Sequence, residues 1–272
     1  PSPVLWLAQM HPVALQVGPL TIHWYGVLVA LGLLVGLWNA ARRAPRAGLP
    51  GTAVADLGPW LIAGAVIGAR FWYVVAYWDH QFAQAPWWEV FMVHHGGLVY
   101  YGGLVGATLA ALWFLHRRRL PLWRVADVLA PSISLGYAIG RLGCLLNGCC
   151  YGRACSLPWA VKYPADNPLG PPTFPVHPTQ VYESLLSLGL YGLLAWVFRK
   201  RRFDGQVFGL YLVGYAGTRS LVECFRGDYP PDQIHWGLTP AQWFSVWVTL
   251  GGLFLLFWQS RKTRPSSAPP AS

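Results

Sequence analysis

The sequence is poor in charge. Of its 272 residues only 11% are Asp, Glu, Lys or Arg, and just 10 are acidic, which excludes an ordinary soluble domain with about 25% charged residues. Polar stretches long enough to form a soluble domain are also missing between the apolar runs. Its five cysteines contain no Cys-x-x-Cys pair, so the usual redox signature is absent.

What the chain has instead is apolar mass: 54% hydrophobic residues and 16 Trp. A membrane-spanning helix needs roughly 20 mainly apolar residues. Seven stretches qualify: 22–41, 53–76, 98–115, 125–146, 180–198, 207–222 and 240–258. The expected fold class is an all-α integral membrane protein, one bundle of seven transmembrane helices within residues 1–260. Residues 147–178 form a small extracytoplasmic head, and 261–272 a disordered tail.

The formal charge of +10 could suggest a nucleic-acid partner, but the basic residues fall in short clusters at helix ends. These are Arg42, Arg43 and Arg46; Arg117 to Arg119 with Arg124; Arg199 to Arg202; and Arg261, Lys262 and Arg264. Seven crossings put all four clusters on one side, the positive-inside pattern. The N-terminus is then outside and the C-terminus cytoplasmic, with basic loops facing membrane lipids and no nucleic acid. The first twenty residues lack a basic n-region and a small-residue cleavage site, so no removable signal peptide is expected.

With that topology the polar residues inside the spans gather toward the outer leaflet. Tyr25, Arg70, Tyr100, Tyr101, Arg141, Gln180, Glu183, Tyr215, Arg219 and Glu223 all fall there. A charge at mid-bilayer costs roughly 2.5–3.5 kcal/mol on an insertion scale, so such a group implies a polar cavity or direct pairing. Arg219 and Glu223 stand one helical turn apart and can neutralise each other. Arg70, Arg141, Arg153 and Arg226 leave the outer zone with more cations than Glu183 and Glu223 can match, and excess guanidinium near lipid headgroups suits a phosphate. Gly102 and Gly106 have the spacing that lets two helices approach closely.

Cys144, Cys149, Cys150 and Cys155 lie within twelve residues. Three readings stay open: a disulfide involving Cys155, free thiols packing as small apolar groups, or a metal. The spacing reads as a poor match to structural zinc, and no metal or cofactor is expected.

Five blocks in this order resemble the phosphatidylglycerol:prolipoprotein diacylglyceryl transferase family of bacteria: IHWYG (22–26), GGLVYYGG (96–103), GRLGCLLNGCCYGR (140–153), HPTQVYES (177–184) and YAGTRSLVECFRGD (215–228). The resemblance implies a multi-pass enzyme of the bacterial inner membrane. Its partners would be phosphatidylglycerol and prolipoprotein signal peptides, diacylglycerol moving to the lipobox cysteine thiol with release of glycerol 1-phosphate. It implies Arg141 and Arg219 as the catalytic cations on the phosphate. Tyr25, Asn147, Gly152, Tyr215 and Glu223 would shape or contact the lipid site, and His177 and Glu183 would order the head and fifth helix; Arg70, from its place among the outer polar residues, is expected to join the lipid contacts.

Two departures from the family pattern stand out. Tyr101 occupies a position where some members carry a histidine proposed as the base, and Cys144 and Cys149 replace asparagine and glutamate. A tyrosine of pKa near 10 is a poor base at neutral pH, whereas a thiol near 8.5 needs little help beside cations. Tyr101 is therefore expected to orient donor or thiol. Two rival classes are a transporter with an outward polar cavity and a thiol-redox membrane enzyme. The first needs polar residues continuing to the inner side, where the spans are nearly all apolar.

Overall fold

The computed structural model describes residues 12–18, 20–83, 85–92, 96–164, 167, 171–226 and 236–262. Residues 1–11 of the N-terminal stretch, Gly227 and Asp228 of the last family block, and 263–272 of the expected disordered tail lie outside them. Each of the seven apolar runs forms an α-helix: α1 Trp24–Arg43, α2 Gly51–Ala76, α3 Tyr100–Arg117, α4 Leu122–Asn147, α5 Thr179–Arg199, α6 Gln206–Glu223 and α7 Pro240–Lys262. Five are long and apolar enough to cross a membrane: α1 extended to Ala47, α2, α4, α5 and α7. The other two, α3 and α6, have 18 residues each, a rise of about 27 Å. Three glycines, His116 and Arg117 dilute the apolarity of α3, and Arg219 and Glu223 that of α6.

One element was not expected. Val13–Val17 (β1) and Leu20–His23 (β2) pair as an antiparallel hairpin immediately before α1. Ile22 and His23, expected to open the first span, belong to this strand, so the helix starts at Trp24. Gly18 takes the left-handed conformation in the connecting turn, with φ +59°.

The described chain divides into two compact units. One holds the hairpin, α1 as far as Ala40, α4 from Ala126 onward, and α5 to α7; the other runs from Ala41 to Val125 and holds α2 and α3. In the second unit, small residues let the two helix backbones touch. A Cβ on Gly64 would fall 2.5 Å from the Gly106 carbonyl oxygen, and one on Gly68 would collide with the Gly102 carbonyl and sit 2.8 Å from Gly106 Cα. The expected pair Gly102 and Gly106 therefore has its complement in Gly64 and Gly68, at the same four-residue interval.

In the first unit, hydrogen bonds from small polar side chains join α4 to α5. Ser184 Oγ donates to the Ala138 carbonyl at 2.9 Å, and Ser134 Oγ to the Ser187 carbonyl at 2.8 Å. The carboxylate of Asp127 on α4, fully buried, accepts from the backbone amides of Gly205 and Phe208 at 2.8 and 2.9 Å. These amides open α6, where an intrahelical partner is missing and the helix dipole favours an anion. Thus α4 fixes both neighbours that carry charged residues.

Gly68→Val forces backbone apart in a packed seam, and overpacking of this kind costs roughly 1–3 kcal/mol. At Gly189 on α5, nothing lies within 4 Å of an added Cβ. Thermal unfolding in detergent is expected to drop for Gly68→Val and hold for Gly189→Val; equal losses would contradict the seam.

Candidate active site

The site begins with one buried acid on α5. Glu183 sits one turn into the helix, its side chain only 3% exposed, and receives donors from two other helices. Arg141 of α4 approaches it twice, Nε 2.8 Å from Oε2 and Nη2 2.9 Å from Oε1. This is the bidentate fork that a guanidinium makes with a carboxylate. Arg219 of α6 lies on the other flank, with Nη1 3.6 Å from Glu183 Oε1 and Nη2 3.0 Å from Glu223 Oε2. Arg226 adds a third cation, 4.0 Å from Glu223 Oε2, and Thr239 Oγ1 donates to Glu223 Oε1 at 3.0 Å.

Within this network, among the described residues, three guanidiniums share two carboxylates. Arg219 Nη1 is buried and makes no hydrogen bond. A buried donor without a partner is costly unless a ligand completes it.

Tyr137, absent from the sequence-based site, completes the cluster. Its hydroxyl donates to Glu183 Oε1 at 2.5 Å and accepts from Arg141 Nε and Nη2 at 3.0 and 2.5 Å. Arg141 also lies over the Tyr137 ring, 4.9 Å from its centroid. Tyr215 meets that ring edge to face at 5.7 Å. The available sequence cue was spacing: Tyr137 precedes Arg141 by four residues and therefore shares its helix face.

The remaining expected residues of this unit fall into two groups. Asn147 ends α4, its Nδ2 3.7 Å from Cys149 Sγ, and the Tyr25 phenol is within electrostatic reach of Arg141 and of the Cys144, Cys149 and Cys150 thiols. Gly143 brings α4 against the backbone of Tyr25, a Cβ there falling 3.3 Å from Tyr25 Cα. All five cysteines are free thiols, including Cys155.

Gly152 and His177 instead form the seam of the head. Gly152 N donates to the His177 carbonyl at 2.9 Å, Arg153 N to the Phe225 carbonyl at 2.9 Å, and His177 N to the Arg153 carbonyl at 3.0 Å. These bonds tie the head to the start of α5 and the end of α6. A Cβ on Gly152 would lie 2.6 Å from the Phe225 carbonyl and 2.7 Å from His177 Cβ, so only glycine fits. His177 Nδ1 lies 3.2 Å from the Tyr182 hydroxyl, and its ring packs on Phe225 at 5.4 Å. Burial, and secondarily Arg153, hold its imidazole below the usual pKa of 6.5.

Arg70 and Tyr101 belong to the unit of α2 and α3. Arg70 is only 8% exposed, and backbone carbonyls occupy its guanidinium. Nε donates to Val90 at 2.8 Å, Nη1 to Gly96 and Gly97 at 2.9 and 3.3 Å, and Nη2 to Glu89 at 2.6 Å. It therefore clamps the segment leading into α3. Tyr101 stands in the first turn of α3, exposed, with its ring 5.8 Å from that of Tyr100.

Glu183→Gln removes the charge that two arginines share, and breaking a buried pair costs roughly 3–5 kcal/mol. A large fall in melting temperature is expected, and retention of the wild-type value would refute the shared role. For His177 the depressed pKa means that the unfolded chain binds its proton first as pH falls. Its contribution is complete above 6.5 and declines below that value. Melting between about pH 5 and 8 should show this loss in the wild type and less of it in His177→Gln; parallel profiles would contradict it.

Comparison with known proteins shows the family. The family model described as prolipoprotein diacylglyceryl transferase matches residues 12–258. A phosphatidylglycerol–prolipoprotein diacylglyceryl transferase of Synechococcus elongatus is 37% identical over 255 residues, 91% of this chain and 86% of the relative. Proteins of the same name from Bordetella bronchiseptica and Verminephrobacter eiseniae are 36% and 38% identical, each covering 95% of this chain and 98% and 96% of the relative. The chain belongs to the prolipoprotein diacylglyceryl transferase family.

Proposed function

We propose that this protein moves the diacylglyceryl group of phosphatidylglycerol onto the lipobox cysteine thiol of a prolipoprotein signal peptide. The observation that carries the site assignment is the buried Arg219 Nη1, a donor without a hydrogen-bond partner beside the Arg141–Glu183 pair. A lipid phosphate supplies the acceptor it lacks.

The chemistry asks for cations at that position. The thiol sulfur bonds to a glycerol carbon as its proton is lost, the carbon–oxygen bond to phosphate breaks, and glycerol 1-phosphate leaves with the electron pair and, in the net reaction, the proton. Negative charge grows on the phosphate as the bond breaks, and prearranged guanidiniums stabilise it most in the transition state. Arg141 and Arg219 take that role, with Glu183 and Tyr137 holding them in place. Tyr25, Asn147 and Tyr215 shape the lipid site, and Glu223 restrains Arg219.

Tyr101 enters through the resemblance of its block, standing where some family members have histidine; its role is to orient donor or thiol. Arg70 acts one step removed, positioning the segment before α3. Seven crossings with the basic clusters in the cytoplasm put the cationic ends of α4 and α6 near the outer headgroups of the bacterial inner membrane. This is where phosphatidylglycerol and an exported signal peptide meet.

A transferase assay with phosphatidylglycerol and a lipobox peptide tests the roles. Loss of one preorganised donor costs about 100- to 1000-fold in rate, so Arg141→Ala and Arg219→Ala should each fall at least that far. Tyr101→Phe should fall less, with the change shared between KM and kcat. Unchanged activity in Arg219→Ala would sink the phosphate assignment, and unchanged activity in Tyr101→Phe its orienting role.

A further inference from the structure

Three thiols converge where α4 ends. Cys144 is buried in the last turn of the helix, and the chain then reverses through Gly148 at φ +76° and Cys150 at φ +62°. Cysteine in the left-handed region is strained and persists only where its surroundings demand it. Here the buried first turn of α5 holds the reversal: Thr179 Oγ1 donates to the Cys150 carbonyl and Gln180 Nε2 to the Cys149 carbonyl, both at 2.6 Å. The sulfurs of Cys144, Cys149 and Cys150 all lie within 4.8 Å of one another.

We propose that these three sulfurs form a binding site for a soft d10 cation, Cu(I) before Zn(II). The dimensions fit. Metal–sulfur bonds of about 2.3 Å in a planar trigonal site place the sulfurs roughly 4 Å apart, so the pairs need to contract by less than about 1 Å. Soft thiolate ligands select Cu(I) and zinc. The described residues bring three ligand groups together here, whereas structural zinc is almost always four-coordinate.

The surroundings of the sulfurs point the same way. Arg141 Nη1 lies 3.9 Å from Cys144 Sγ, and Asn147 Nδ2 lies 3.7 Å from Cys149 Sγ. Each N–H donor directed at a sulfur favours its thiolate, the form that binds metal, and metal binding displaces the bond that Cys149 Sγ donates to the Cys144 carbonyl at 3.7 Å. Three thiolates around Cu(I) carry a net charge of −2, which Arg141 offsets in part. A disulfide between Cys149 and Cys150 is a poor fit. Adjacent Cys149 and Cys150 have Cα atoms about 3.8 Å apart, below the usual disulfide range of about 4.4–6.8 Å.

Spacing alone understated this possibility. Cys144 and Cys149 are separated by four residues, inside the range of zinc-ligand pairs, and the reversal at Gly148 adds Cys150 as a third sulfur.

The test is anaerobic titration of the detergent-purified full chain with Cu(I) against a chromophoric Cu(I) chelator, with Zn(II) in a parallel arm. The wild type should bind one Cu(I) per chain, as should the variant carrying both Cys155→Ser and Cys224→Ser. Cys144→Ser, Cys149→Ser and Cys150→Ser should each weaken binding at least a hundredfold, and Asn147→Ala about tenfold. X-ray absorption should show three sulfur neighbours. Should a serine variant fail to fold, alkylation of the wild type decides. Bound Cu(I) should protect Cys144, Cys149 and Cys150 while Cys155 and Cys224 react at the metal-free rate. Cu(I) affinity unchanged in the serine variants, protection of all five cysteines alike, or Zn(II) bound as tightly as Cu(I) would each overturn the proposal.

Discussion

Glu183 is the residue on which the other charges depend. It is a buried carboxylate on α5 with a guanidinium from α4 on one side and one from α6 on the other. In an apolar bundle an isolated charge is expelled or neutralised. Alternating cation and anion, from Arg141 through Glu183 and Arg219 to Glu223, pairs four charges that would each be costly to bury alone. Arg226 adds a third guanidinium to these two carboxylates, so the network has one more formal positive charge than negative to offer a ligand.

The supporting structure serves that arrangement. Serine-to-carbonyl hydrogen bonds set the distance between α4 and α5, and Asp127 seats the start of α6 against α4. At the other end of α6, the Gly152–His177–Phe225 seam closes over the first turn of α5. Within the unit of α2 and α3, Arg70 does the comparable work for the segment entering α3. Arginine thus appears in two roles: where carbonyls occupy it, as at Arg70, it builds structure. Where a donor is left over, as at Arg219, the proposed phosphate would complete it.

Much of this was legible in the chain. Apolar runs of spanning length marked all seven helices to within a few residues, because length and hydropathy are one-dimensional properties. The polar residues among them marked Arg141, Glu183, Arg219 and Glu223, since charge inside an apolar run demands a partner. Less legible was anything that depends on chain reversal. The partners of Arg70 are carbonyls nineteen or more residues away, and carbonyls have no sequence signature. Tyr137 is one of many aromatics in the apolar runs, and its contact with Glu183 is what sets it apart. The β-hairpin was too short to register beside the first span, and the sulfur cluster depends on a left-handed turn at a cysteine.

Recognition of a lipid phosphate by the arginine pair can be read by equilibrium binding. Phosphatidylglycerol and uncharged diacylglycerol would be compared on the purified wild type and on Arg219→Gln. The wild type should prefer phosphatidylglycerol, and the variant should lose this preference while still binding diacylglycerol. A variant that keeps the full preference, or loses both lipids equally, would contradict it.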